Sequence, residues 1–157
     1  ETVKLAIVKC QEFRGQEGAV TAEKFKEYIA TISECLAAVS VQAPKRVPVI
    51  RERIEKSISD LVANENFNKD RFEQELVYYV EKYDISEEEV RLGNHLTYFI
   101  KELDKGANGK RLNFITQEIG REINTIGSKA NDAIIQRLVV QMKDELEKIK
   151  EQTMNVV

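Results

Sequence analysis

The chain has 157 residues and carries 24 Lys plus Arg against 27 Asp plus Glu, a formal net charge of −3. That length suits one domain with a real core, and that charge excludes nucleic-acid binding by bulk basicity, so any such role needs a local patch. With 2 Pro, no Trp and no alternating Val, Ile, Thr or Tyr runs between turns, the composition points to an all-α protein.

No apolar run is long enough to span a bilayer and no signal peptide is recognisable, so a cytoplasmic location is expected. Cys10 and Cys35 sit at apolar helical positions without metal spacing and read as free buried thiols. Helical periodicity starts at once in a chain that does not begin with Met, so a fragment lacking its N-terminal part is expected.

Val3, Ile7, Cys10 and Phe13 give a first helical stripe, interrupted by Gly15 and Gly18. Thr21 can cap a second helix, whose inner face is Phe25, Tyr28, Ile32, Cys35 and Val39. Pro44 ends or kinks it, and Pro48 suits the first turn of a third, with Val47, Ile50, Ile54, Ile58 and Leu61 inside. Asn64 to Asn68 reads as a turn. A short fourth helix carries Phe72, Leu76, Tyr79 and Tyr83. Ser86 with Glu89 three residues on forms a capping box for a fifth, with Leu92, Leu96, Phe99 and Leu103. Gly106-Ala107-Asn108-Gly109 then lets the chain reverse.

From Lys110 no stop is visible before about Thr153. A helix of about 40 residues is ~60 Å long, more than the ~40 Å diameter of a compact chain of this size. One very long C-terminal helix in an elongated body of antiparallel helices is therefore expected, and with it self-association into a homo-oligomer.

Between Lys110 and Asp132 the polar residues of this helix are unusual. Gln117, Arg121, Asn124, Ser128 and Asn131 make one row; Glu118, Glu122, Thr125, Lys129 and Asp132 make the row beside it. Two Asn, a Thr, a Ser and an Asp, with Gly120 and Gly127 nearby, each cost up to ~1 kcal/mol relative to Ala in a helix interior. A ligand face or a buried polar network has to favour them. Lys110, Arg111, Arg121, Lys129 and Arg137 give the stretch a local excess of positive charge. Arg, Lys, Asn, Ser and Thr are the usual contacts to phosphate and sugar.

The single histidine, His95, shares a helix side with Glu88, Arg91 and Glu102. The reversal at Gly106–Gly109 folds that helix back along the next, where His95 can approach Glu118 and Glu122. One imidazole and two carboxylates suit a divalent metal that takes N and O ligands, although no HExxH-type spacing supports it. A hydrogen-bonded structural core would use the same residues.

The stretch RLNFITQEIGREINTIGSKANDAIIQRLVVQMKDELEKIKEQ resembles the C-terminal signature of the YicC/YloC family. DISEEEVRLGNHLTYF and FRGQEGAVTAEKF resemble two further family segments, so the likeness covers nearly the whole chain, with the family's N-terminal domain absent from it. The resemblance implies a bacterial, stress-related, manganese-dependent endoribonuclease that assembles as an oligomer and acts on RNA. It implies His95, Glu118 and Glu122 as catalytic and metal-binding residues. It implies Arg111, Gln117, Arg121, Asn124, Thr125, Ser128, Lys129 and Asn131 as RNA-binding residues. The chain departs from the family pattern at Asn113, where the family carries Asp and so a further carboxylate, and at Gly120 and Asn94. The rival expectation is a non-catalytic helical module for oligomerisation and RNA binding.

Overall fold

Apolar residues at helical spacing build six helices in the computed structural model, which describes the backbone of residues 2–62 and 69–155 and the side chains of 18–56, 70 and 72–154. They are α1 (Thr2–Gln42), α2 (Arg46–Val62), α3 (Lys69–Tyr83), α4 (Ser86–Asp104), α5 (Gly109–Lys129) and α6 (Ala133–Asn155), with a 3-10 turn at Ala43–Lys45. Among the described residues there is no strand, as an all-α chain requires. None of the described helices is long and apolar enough to cross a membrane. The turn expected at Asn64–Asn68 and the side chain of Cys10 lie outside the described residues.

Helices α1, α4, α5 and α6 close around one core. Phe25, Ile32 and Val39 of α1, Leu92 and Phe99 of α4, Ile119, Ile123 and Ile126 of α5, and Ile135 and Met142 of α6 are all buried in it. Each such side chain is stabilised by about 1.5–3 kcal/mol through leaving water. Phe25 and Phe99 meet edge to face at 5.7 Å. Near one end Ser40 donates to Glu89, and near the other Lys26 pairs with Asp104, so α1 and α4 run in opposite directions. Helices α2 and α3 pack on each other beyond the α1–α2 turn. Cys35 is free and buried, and burial, ahead of the nearby Glu34 and Glu145 charges, pushes its thiol up, away from reactivity.

Two helix boundaries differ from expectation. The break at Gly15 and Gly18 with a cap at Thr21 does not occur: α1 is one helix of 41 residues. A glycine weakens a helix by about 1 kcal/mol but does not end it.

The single helix expected from Lys110 to about Thr153 is two helices, divided at Ala130–Asp132. Ala130 leaves helical geometry at ψ 97. Asp132 Oδ1 then accepts from the amides of Ile134 and Ile135, each at 2.9 Å, and starts α6. Gln136 reaches back from α6 and donates to the carbonyls of Gly127 at 2.6 Å and Ala130 at 2.7 Å, satisfying the exposed end of α5. The chain reverses, so α6 lies along α5. A Cβ on Gly127 would sit 3.0 Å from Val139, and one on Gly120 would sit 3.1 Å from Leu146. The two glycines thus allow the close approach of α6, which accounts for their presence in a helix they weaken.

The division makes Asp132 a stability determinant. Burial pushes its carboxyl up, but the Ile135 amide, the Gln42 side chain, the Ile134 amide and the Arg46 charge outweigh that and hold it below 3.8. Asp132→Ala should cost about 1 kcal/mol at neutral pH. Because the folded pKa is depressed, the contribution is complete above the unfolded value and is lost as pH falls through the folded one. Thermal melts of variant and wild type should therefore differ at pH 7 and converge in acid. Equal melting temperatures at pH 7 contradict the cap.

Candidate active site and nucleic-acid face

The reversal between α4 and α5 is built locally. Gly106 adopts φ 72, open to glycine at no steric cost. Asn108 then caps α5, its side-chain oxygen accepting from the Arg111 amide at 3.1 Å.

Ion pairs zip the two helices together along one edge. Arg111 Nε lies 2.6 Å from Glu102 Oε2, Arg91 Nε 3.2 Å from Glu122 Oε2, and Lys129 Nζ 2.7 Å from Glu88 Oε1. His95 lies on the same side of α4 as Arg91 and Tyr98 and is partly buried.

Glu88 and Glu102 are only 3% and 4% exposed, so both depend on cationic partners. Glu88 Oε1 takes Arg91 Nη2 at 3.2 Å besides Lys129, while Oε2 is buried without a partner. Arg91 binds Glu87 at 2.9 Å as well. Lys105, at 2.9 Å, and Arg111 draw the Glu102 carboxyl below its ordinary range against the effect of burial.

The seam sorts the two polar rows of α5. Gln117, Arg121, Asn124, Ser128 and Asn131 are all exposed; Glu118, Glu122, Thr125, Lys129 and Asp132 are all partly buried. Lys129 and Glu122 are committed to α4, and the Thr125 hydroxyl donates to the Arg121 carbonyl at 3.0 Å. Arg111 donates to the Tyr98 hydroxyl at 2.6 Å and stacks over that ring at 5.9 Å. From Arg111 to Lys129 the rows run ~27 Å along the helix, and Asn131 and Asp132 lie beyond it in the α5–α6 turn. Phe114, not singled out from the sequence, heads the exposed row at 63% exposure. With Tyr98, Lys110 and Arg111 it borders a hollow of about 800 Å³ beside the α4–α5 loop. The signal for Phe114 was an aromatic ring in register with Gln117 and Arg121, on the wrong side for the core stripe.

The expected metal set is not gathered. Among the described residues, no three His, Cys, Asp or Glu side chains are placed to hold a metal ion. Glu122 is engaged by Arg91, and Glu118 Oε1 by Arg121 Nη1 at 2.9 Å. Guanidinium groups occupy the carboxylates that a divalent ion would need.

Residues 39–157 match the family described as endoribonuclease YicC-like, C-terminal. The chain is 34% identical over 158 residues to the probable endoribonuclease YicC of Clostridioides difficile (strain 630), covering 99% of this chain and 54% of that protein. It is 32% identical over 148 residues to the probable endoribonuclease YicC of Haemophilus influenzae, covering 91% of this chain and 50% of that protein. The chain spans about half the length of the curated relatives it matches.

The two rows predict different costs. Lys129→Ala leaves the buried Glu88 with Arg91 alone and should lower stability by about 1–3 kcal/mol. Arg121, with its side chain 72% exposed, should tolerate Ala within about 0.5 kcal/mol. Chemical denaturation of both variants checks the division, and Lys129→Ala at wild-type stability contradicts it.

Proposed function

Because the chain belongs to the YicC-like endoribonuclease family and matches its C-terminal region, we propose that it is the RNA-binding and acid–base part of an enzyme that cuts RNA phosphodiester bonds. The observation that carries this reading is the exposed row Gln117, Arg121, Asn124 and Ser128 along one face of α5, with Asn131 exposed in the turn beyond it. Its donors suit phosphate and ribose oxygens, and Phe114 at its head offers a ring on which an unpaired base can stack. Arg111, Thr125 and Lys129 border the row and hold it in place through their contacts with Tyr98, Glu102, the Arg121 carbonyl and Glu88.

His95 is the acid–base group of this reading. Its imidazole can accept a proton from an attacking hydroxyl or return one to the leaving oxygen. Glu122 is a positioning residue, because Arg91 holds its carboxylate. Manganese, which the resemblance implies, does not fit His95, Glu118 and Glu122 as they stand, so these three are not proposed as its ligands.

That misfit favours a second reading, in which the chain is a helical oligomerisation and RNA-binding module and the chemistry lies outside it. Self-association is supported by α1, whose 41 residues make a helix of ~60 Å, longer than a compact body of this size. In both readings the partners are RNA and further copies of the chain, in the cytoplasm.

Arg121→Ala combined with Asn124→Ala should weaken RNA binding by the full-length protein. It should reduce the slope of log affinity against log salt by about 1, the loss of one phosphate contact. Filter binding across a salt series measures both, and an unchanged slope in the folded variant contradicts the RNA face. His95→Gln should leave melting unchanged and cut RNA turnover about a hundredfold or more. Wild-type turnover assigns the chain to the second reading.

A further inference from the structure

Of the four cations on α5, Arg111, Arg121 and Lys129 each meet a carboxylate within the chain. Lys110 is exposed and meets none among the described residues. It lines the hollow of about 800 Å³ beside the α4–α5 loop, together with Lys105 and Arg111. That volume lies in the range of small-molecule sites, ~300–1,000 Å³. The one carboxylate of the lining is Glu102, which Lys105 and Arg111 already hold at 2.9 Å and 2.6 Å. Asp104, two residues further along α4, pairs with Lys26 of α1 instead. Three cations against one carboxylate leave the hollow with an excess of two positive charges.

The two aromatic rings of the lining are not equivalent. Tyr98 has the Arg111 guanidinium over its ring at 5.9 Å, and its hydroxyl accepts from the same group at 2.6 Å. Phe114 is 63% exposed and has no ring or cation partner among the described residues. Every base has a π-face and stacks on a free aromatic ring whatever its identity. The hollow thus offers one open ring with uncompensated cations around it. A flat ring joined to more than one negative charge meets both.

Charge separates the parts of an RNA strand. An internal phosphodiester carries one negative charge, whereas a terminal phosphate carries about two at neutral pH. Further along the exposed row, Gln117, Asn124 and Ser128 are neutral and Arg121 is paired with Glu118 at 2.9 Å. Such a row suits internal phosphodiesters. The charge excess lies beside it, at the end where α5 begins.

We propose that this hollow holds the phosphorylated end of a single-stranded RNA. The terminal base stacks on Phe114, and Lys110, with Lys105 and Arg111, holds the terminal phosphate. The proposal rests on the reading of α5 as an RNA face and adds that the protein tells a phosphorylated end from a hydroxyl end. A 5′-phosphate and a 3′-phosphate carry the same charge, so the two ends are separate arms of the test.

Isothermal titration of the full-length protein tests this with adenosine hexamers bearing a 5′-phosphate, a 3′-phosphate or hydroxyls at both ends, each checked as intact after titration, and with adenosine monophosphate. At least one phosphorylated hexamer should bind about tenfold more tightly than the hydroxyl-ended one, and the tighter of the two gives the direction of the strand on α5. The mononucleotide, which lacks the rest of the strand, should bind more weakly than that hexamer. Lys110→Ala should bring the end preference within about twofold, and Lys110→Arg should keep it. Phe114→Ala should weaken all three hexamers about tenfold and leave the preference intact. Equal affinities of phosphorylated and hydroxyl-ended hexamers overturn the proposal and leave the RNA face standing, whereas no saturable binding of any hexamer overturns both. A mononucleotide bound as tightly as the hexamers, an end preference that survives in a folded Lys110→Ala variant, or full affinity in a folded Phe114→Ala variant also overturns the proposal.

Discussion

A carboxylate that is 3% exposed is costly to bury without cations beside it, and Glu88 has two, Arg91 on its own helix and Lys129 across on α5. That requirement draws the end of α5 onto the start of α4. Arg91 extends the same connection to Glu122, and Arg111 repeats it with Glu102 at the other end. With both ends paired, the two helices are held in register along this edge.

The apolar and the ionic parts of the structure support each other. Ile115, Ile119, Ile123 and Ile126 on α5 are buried to 2% or less, which sets the rotation of that helix about its axis. Given that rotation, the row holding Glu122 and Lys129 falls at the edge of the core, where carboxylates are half desolvated and seek partners. The row holding Arg121 and Asn124 falls in solvent. Gly120 and Gly127 allow α6 to press on the opposite side. One helix therefore carries a core stripe, a structural polar stripe and an exposed polar stripe.

Periodicity made most of this legible. The stripes of α4 and α5, the Gly106–Gly109 reversal and the side shared by Glu88, Arg91, His95 and Glu102 could all be read from spacing alone. The division of the C-terminal helix could not, because Ala130-Asn131-Asp132 contains neither Gly nor Pro, and the cap at Asp132 gains its meaning from Gln136 and Gln42 in three dimensions. The capping box at Ser86 was misplaced for a similar reason. Asp84, two residues earlier, accepts from the Ser86 amide at 3.0 Å and takes the capping role. Which polar row of α5 is structural was beyond a single sequence, since Lys129 and Arg121 differ only in what lies across from them.

The central claim is that RNA meets the outward row of α5 and not the row turned to α4. Photocrosslinking of the full-length protein to 4-thiouridine RNA, with the attached residues mapped by mass spectrometry, tests it most directly. The account predicts adducts along Phe114, Gln117, Arg121, Asn124 and Ser128, with Glu122 and Lys129 unmodified. Adducts confined to other faces of the chain, with that row silent, would contradict it.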